Sequence, residues 1–132
     1  MIPRTRITVG AVVLLTLSAC GLSSSRQKAL ELTAIMDIRS IQTAETQYSV
    51  QNGRFANLSE LGAANLIPST LASGEKEGYR FTVTTTPSGF TINASPKTYG
   101  ETGSRSFYSD QTLVIRENRA NEPASSNSPE LK

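Results

Sequence analysis

The side chains able to do chemistry in this 132-residue chain are few, and their types limit what that chemistry can be. There is no histidine and no tryptophan, and Cys20 is the sole cysteine. Histidine-based proton transfer is thereby excluded, and so is any zinc site built from histidine or several cysteines. Cys20 has no intramolecular disulfide partner, so it acts as a single thiol. Serines and threonines are plentiful, but Ser/Thr-rich strands are far more often solvated faces than nucleophile sites, and the inventory argues against an enzyme. For a cation, Asp110 is the one weak candidate, with Glu101 and Glu117 far from it in sequence. Calcium wants six to eight oxygens and several carboxylates. Asp110 therefore reads first as a turn-former, and neither metal nor cofactor is expected.

What surrounds Cys20 gives the thiol its meaning. Arg4 and Arg6 precede the apolar run 7–17, and Leu17-Ser18-Ala19-Cys20 closes it, the three-part layout of an export signal. An apolar core of about 11 residues is too short for a permanent membrane span, which needs roughly 20. The tetrapeptide resembles the lipobox of bacterial lipoproteins: a branched apolar residue, two small residues, then cysteine. That resemblance implies cleavage before Cys20 and palmitate-type acylation of its thiol, with the lipid bilayer as its partner. Gly21 in place of aspartate implies sorting to the outer membrane, facing the periplasm or the surface. Residues 1–19 are thus read as signal peptide and 20–25 as a flexible lipidated tether. Of the 13 basic and 11 acidic residues, Arg4 and Arg6 leave with the signal. The mature chain is near neutral, and no nucleic-acid partner is expected.

The elements follow from periodicity. Ala34, Ile38, Ile41, Ala44 and Tyr48 recur every three or four residues and form one apolar helix stripe, with Arg39, Gln42, Glu45 and Gln47 directed elsewhere. A capping box at Ser24 and Gln27 is expected to start this helix, and Gly53 to end it. Residues 54–74 read as two short helical turns in a loop: Asn57 with Glu60 caps the first, Pro68 starts the second, and Gly62 and Gly74 end them. From Gly78 the period becomes two. Segments 79–84 and 90–94 form a hairpin, and 104–109 and 113–116 add two strands about a turn at 110–112. The expected fold is α+β, one long N-terminal helix on an antiparallel sheet of about four strands. Residues 26–116 make the domain, and the polar stretch 117–132 is expected to be a disordered tail.

This order of elements, and the segments IRSIQTAETQY (38–48), FANLSELGAANLIPSTLASG (55–74), GYRFTV (78–83), FTINASP (90–96) and GSRSFYSDQTLVIR (103–116), resemble the soluble part of type IV pilins and type II secretion pseudopilins. Related sequences often carry glycine where this chain has Leu113, so the last turn is expected to differ in type. The prepilin start is missing: Gly10 is followed by AVVLL, with Leu15 where that family has glutamate. What the resemblance implies is a structural or interaction role, accessory to a pilus or secretion-type assembly, rather than filament building. Arg39, Glu45 and Arg116 are the candidate partner contacts, read as exposed polar positions. A lipoprotein that captures DNA or glycan is the alternative.

Overall fold

The computed structural model describes residues 18–132, and of 18–23 only the backbone. Residues 1–17 of the expected signal segment, and the side chains of Ser18, Ala19 and Cys20, lie outside the described residues. A single helix, α1 (Ser18–Asn52), is followed by the short helices α2 (Leu58–Ala63) and α3 (Ser69–Ala72). Five strands come next: β1 (Glu75–Lys76), β2 (Tyr79–Thr86), β3 (Gly89–Pro96), β4 (Ser106–Asp110) and β5 (Arg116–Asn118). They pair antiparallel in chain order as one sheet, and α1 packs on it. The architecture is the expected α+β arrangement with one strand more. β1 escapes a periodicity reading because two residues have no period.

α1 begins earlier than its capping signal. The helix runs through Ser24, so residues 20–25 are helical backbone and not a flexible tether. Extending an existing helix by a turn costs only tenths of a kcal/mol per residue even for serine, because the nucleus is already in place. The other end behaves as expected. Gly53 takes φ +70° and donates its amide to the Ser49 carbonyl at 2.8 Å, the left-handed C′ geometry that spares a side chain.

The loop 54–74 also follows its local code. Asn57 accepts from the Glu60 amide at 2.9 Å while Glu60 accepts from the Asn57 amide at 3.3 Å, a complete capping box. α2 then runs past Gly62, which serves packing instead of termination: a Cβ there would lie 2.5 Å from that of Ala72 in α3. Leu58, Leu61, Ile67 and Leu71 from this loop join the core.

In the sheet, Tyr79, Phe81, Phe90, Ile92, Ala94 and Phe107 turn toward α1, where Ala34, Ile38, Ile41, Ala44 and Tyr48 meet them. The Pro87-Ser88 turn sets the register Thr86 opposite Gly89 and so keeps both hairpin strands in phase. The last two strands are displaced from expectation. β4 starts at Ser106, and the segment 112–115 is loop, so β5 starts only at Arg116. The cause is Leu113, which takes φ +66° and breaks the extended run.

The stretch 117–132 is not a disordered tail. It contributes β5 and then folds back over the sheet: the Leu131 amide donates to the Ile115 carbonyl at 2.8 Å and the Glu117 amide to that of Pro129 at 2.9 Å. Asn93 donates its side-chain amide to the Ala124 carbonyl at 3.1 Å, and Ala124 is buried. Composition argued for disorder because only one strong hydrophobe is present. Backbone carbonyls presented to polar side chains hold the segment instead. Among the described residues no helix is long and apolar enough to cross a membrane.

Candidate functional site

The side of α1 that meets the sheet is wider than its apolar stripe. Glu31, Asp37, Gln42 and Glu45 are all buried there. Each needs a partner, because an unpaired buried charge is costly. Glu31 Oε1 accepts from the Ser104 amide at 2.8 Å and from its hydroxyl at 3.0 Å, and Oε2 accepts from Arg105 Nε at 3.0 Å. Arg105 in turn reaches Glu117 at 2.6 Å, so one guanidinium ties the helix to β5. Lys76 pairs with Asp37 at 2.7 Å and fastens β1. These polar contacts lock α1 to one register on the sheet.

Gln42 does the same for the turn after β4, and in doing so shapes a groove. Its Nε2 donates to Ser109 Oγ at 2.7 Å and to the Leu113 carbonyl at 3.4 Å, while Ser109 Oγ donates to the Val114 carbonyl at 2.9 Å. Asp110 completes the turn by accepting the Thr112 amide at 2.9 Å on Oδ1 and the Tyr108 hydroxyl at 3.2 Å on Oδ2. Burial alone would raise the Asp110 pKa. The bonds from Thr112 and Tyr108, with Arg116 nearby, outweigh it and hold the carboxyl below its usual range.

Thus pinned, Leu113 sits in the left-handed region with half of its surface exposed, beside Val50, which is 82 % exposed. Together with Gln42, Thr43, Thr46 and Gln47 they line an open groove of about 490 Å³ near the C-terminal end of α1. No side chain lining it carries a charge. Such a surface offers apolar contact flanked by amides and hydroxyls, and suits an uncharged or apolar segment of a partner.

The three sequence-predicted contacts fare differently. Arg39 is exposed on the outer side of α1 and makes no salt bridge among the described residues. Glu45 is not an exposed contact: it is completely buried, its Oε2 accepting from the Ala56 amide at 2.9 Å and its Oε1 unpartnered. Arg116 is only partly exposed and is committed within the molecule, donating to the Ser128 carbonyl at 2.9 Å and lying 3.8 Å from Glu130. The structure therefore does not bring the three together. Asp110 has its oxygens occupied by the turn, and among the described residues no three acidic, cysteine or histidine side chains converge.

Sequence reasoning missed Leu113 and Gln42 as site residues. A signal for each existed. The resemblance had already singled out Leu113 as altering the last turn, and Glu31, Ile38, Gln42 and Glu45 recur at helical spacing, so polar positions trace the buried side as well as apolar ones do. Comparison of the chain with protein-family models, curated proteins and solved structures returns no match.

Proposed function

We propose that this protein is a pilin-like lipoprotein without catalytic activity, held by acylated Cys20 at the outer membrane, where its domain binds a protein component of a pilus or type II secretion-type assembly. The observation that carries the reading is Leu113: an exposed, branched hydrophobe in a backbone conformation that favours glycine, placed next to Val50 in an uncharged groove. Its backbone serves the turn, but an exposed side chain on a strained backbone adds little to the free domain, and such residues concentrate at binding sites. The position of the groove supports the reading too. From Cys20 to Val50 the helix is unbroken and about 45 Å long at 1.5 Å per residue. The groove is therefore presented well away from the anchor.

In-cell photocrosslinking from Gln47 and Val50, with Cys20→Ala and Leu113→Gly as comparisons, tests the proposal. Capture of pilin or secretion components is expected, abolished without the anchor and reduced at least roughly fivefold by Leu113→Gly. That substitution is expected to leave folding stability within about 1 kcal/mol, since relief of a left-handed leucine offsets the added chain entropy of glycine. Capture of DNA or glycan alone would favour the ligand-binding alternative, and equal capture with Leu113→Gly would remove the groove from the account.

A further inference from the structure

The outward side of α1 changes character along its length. Its acids, Glu31, Asp37 and Glu45, are all buried on the sheet side. Its bases, Arg26, Lys28 and Arg39, are all exposed, and none makes a salt bridge among the described residues. Interleaved with them at helical spacing stand Leu32 and Met36, 58 % and 59 % exposed. Lys28, Leu32, Met36 and Arg39 share one side of the helix, directly opposite the stripe that meets the sheet. Beyond Arg39 that side becomes neutral: Ser40, Thr43, Thr46, Gln47, Val50 and Gln51 carry no charge.

We infer that the basic, apolar half of this side, from Lys28 to Arg39, rests on an anionic phospholipid surface, with the neutral half and its groove tilted away from the bilayer. The occupant follows from charge. A second copy laid on the same face would set lysine and arginine against arginine and lysine, with no exposed acid on either helix to pair them. An anionic headgroup layer meets both cations at once and receives Leu32 and Met36 below them, the arrangement of an interfacial helix. Position agrees: Lys28 lies only about 12 Å along the helix from Cys20. The inference rests on the anchored reading proposed above, because a nearby acyl chain raises the local concentration of an otherwise weak contact.

The absence of tryptophan makes the test direct. Met36→Trp places a sole indole on this side, and Thr84→Trp places one on the exposed, opposite side of the sheet. Each full-length acylated chain is incorporated into vesicles containing brominated lipid, either phosphatidylcholine alone or with roughly 30 % phosphatidylglycerol. The expected result is quenching of the indole at position 36 at least roughly threefold stronger than at position 84, dependent on phosphatidylglycerol and weakened by about 0.5 M salt. Lys28→Glu with Arg39→Glu is expected to abolish the quenching while the chain still sediments with the vesicles. Circular dichroism confirms that each variant is folded.

An unquenched indole at position 36 on vesicles that carry the chain would overturn the inference and leave the anchor intact. Shielding of that indole without vesicles, growing with protein concentration, would overturn it in favour of a second copy. Preferential crosslinking of position 36 to an envelope protein would do so in favour of a protein partner. Should mass spectrometry find Cys20 unacylated, the anchored reading fails separately. The same quenching comparison with unacylated chain at high vesicle concentration then judges the helix face alone.

Discussion

Of the three buried acids of α1, Glu45 is the least exposed. Desolvation is the main cause of its altered acidity: burial pushes its pKa up from 4.5 to about 6, against the hydrogen bond from the Ala56 amide and with help from the nearby Glu60 charge. A carboxyl that binds its proton more tightly when folded stabilises the fold below pH 4.5 and loses that contribution as pH rises through 6. At about 1.36 kcal/mol per tenfold change in proton affinity, the difference is on the order of 2 kcal/mol. Glu45→Gln should therefore be more stable than the parent at pH 7.5 and nearly equal to it at pH 4.5, measured by urea unfolding. Asp110 and Glu117, whose pKa values are lowered, titrate in the opposite sense, so the difference between variant and parent isolates Glu45. An unchanged difference across that range would show that the carboxylate is solvated. At this scale the sequence was legible only where a residue's role is local. The Asn57–Glu60 cap and the Asp110 turn could be read from neighbours in the chain, whereas the burial of Glu45 depends on Ala56 reaching it through the loop.

Among the elements, α1 and the β2–β3 hairpin were readable because period alone identifies them. β1 was too short to show one, and β5 was shifted by a single left-handed leucine. The C-terminal stretch misled for a different reason. Its composition lacks hydrophobes, yet Ser106 donates to the Glu122 carbonyl at 2.6 Å and Arg116 to that of Ser128, bonds between side chains of the sheet and carbonyls of the stretch that composition does not record. Deleting residues 119–132 exposes Ile115 and the Asn93 side of the sheet and removes the pairing of Leu131 with Ile115. The expected loss is on the order of 3 kcal/mol, from several buried hydrogen bonds and part of a leucine. Thermal unfolding of the truncated domain checks it; an unchanged midpoint would mean that the stretch lies on the sheet without supporting it.

For the molecule as a whole, the long helix fixes how far the domain stands from residue 20 and which way it faces. Proline at position 25 removes a helix hydrogen bond and clashes one turn back, at a cost of about 3 kcal/mol confined to the first turns. Glu31 and its partners lie beyond the break, so Ser25→Pro should leave the unfolding midpoint of the domain within a few degrees. Under the anchored reading proposed above, crosslinking from Val50 should fall nonetheless, since a joint at residue 25 frees the orientation of the groove relative to residue 20. If capture is unaffected, reach and not orientation is what the helix supplies.

The clasp between Glu31 and Arg105 spans 74 positions, and the one between Ile115 and Leu131 lies further along still. A polypeptide delivered N-terminus first, by a ribosome or a translocation channel, would present its helix long before any strand exists to receive it. Three acids on the waiting surface keep that helix wettable in the interval. The domain can become complete only once Leu131 has emerged to meet Ile115, so every residue up to that point passes through a channel without the finished fold.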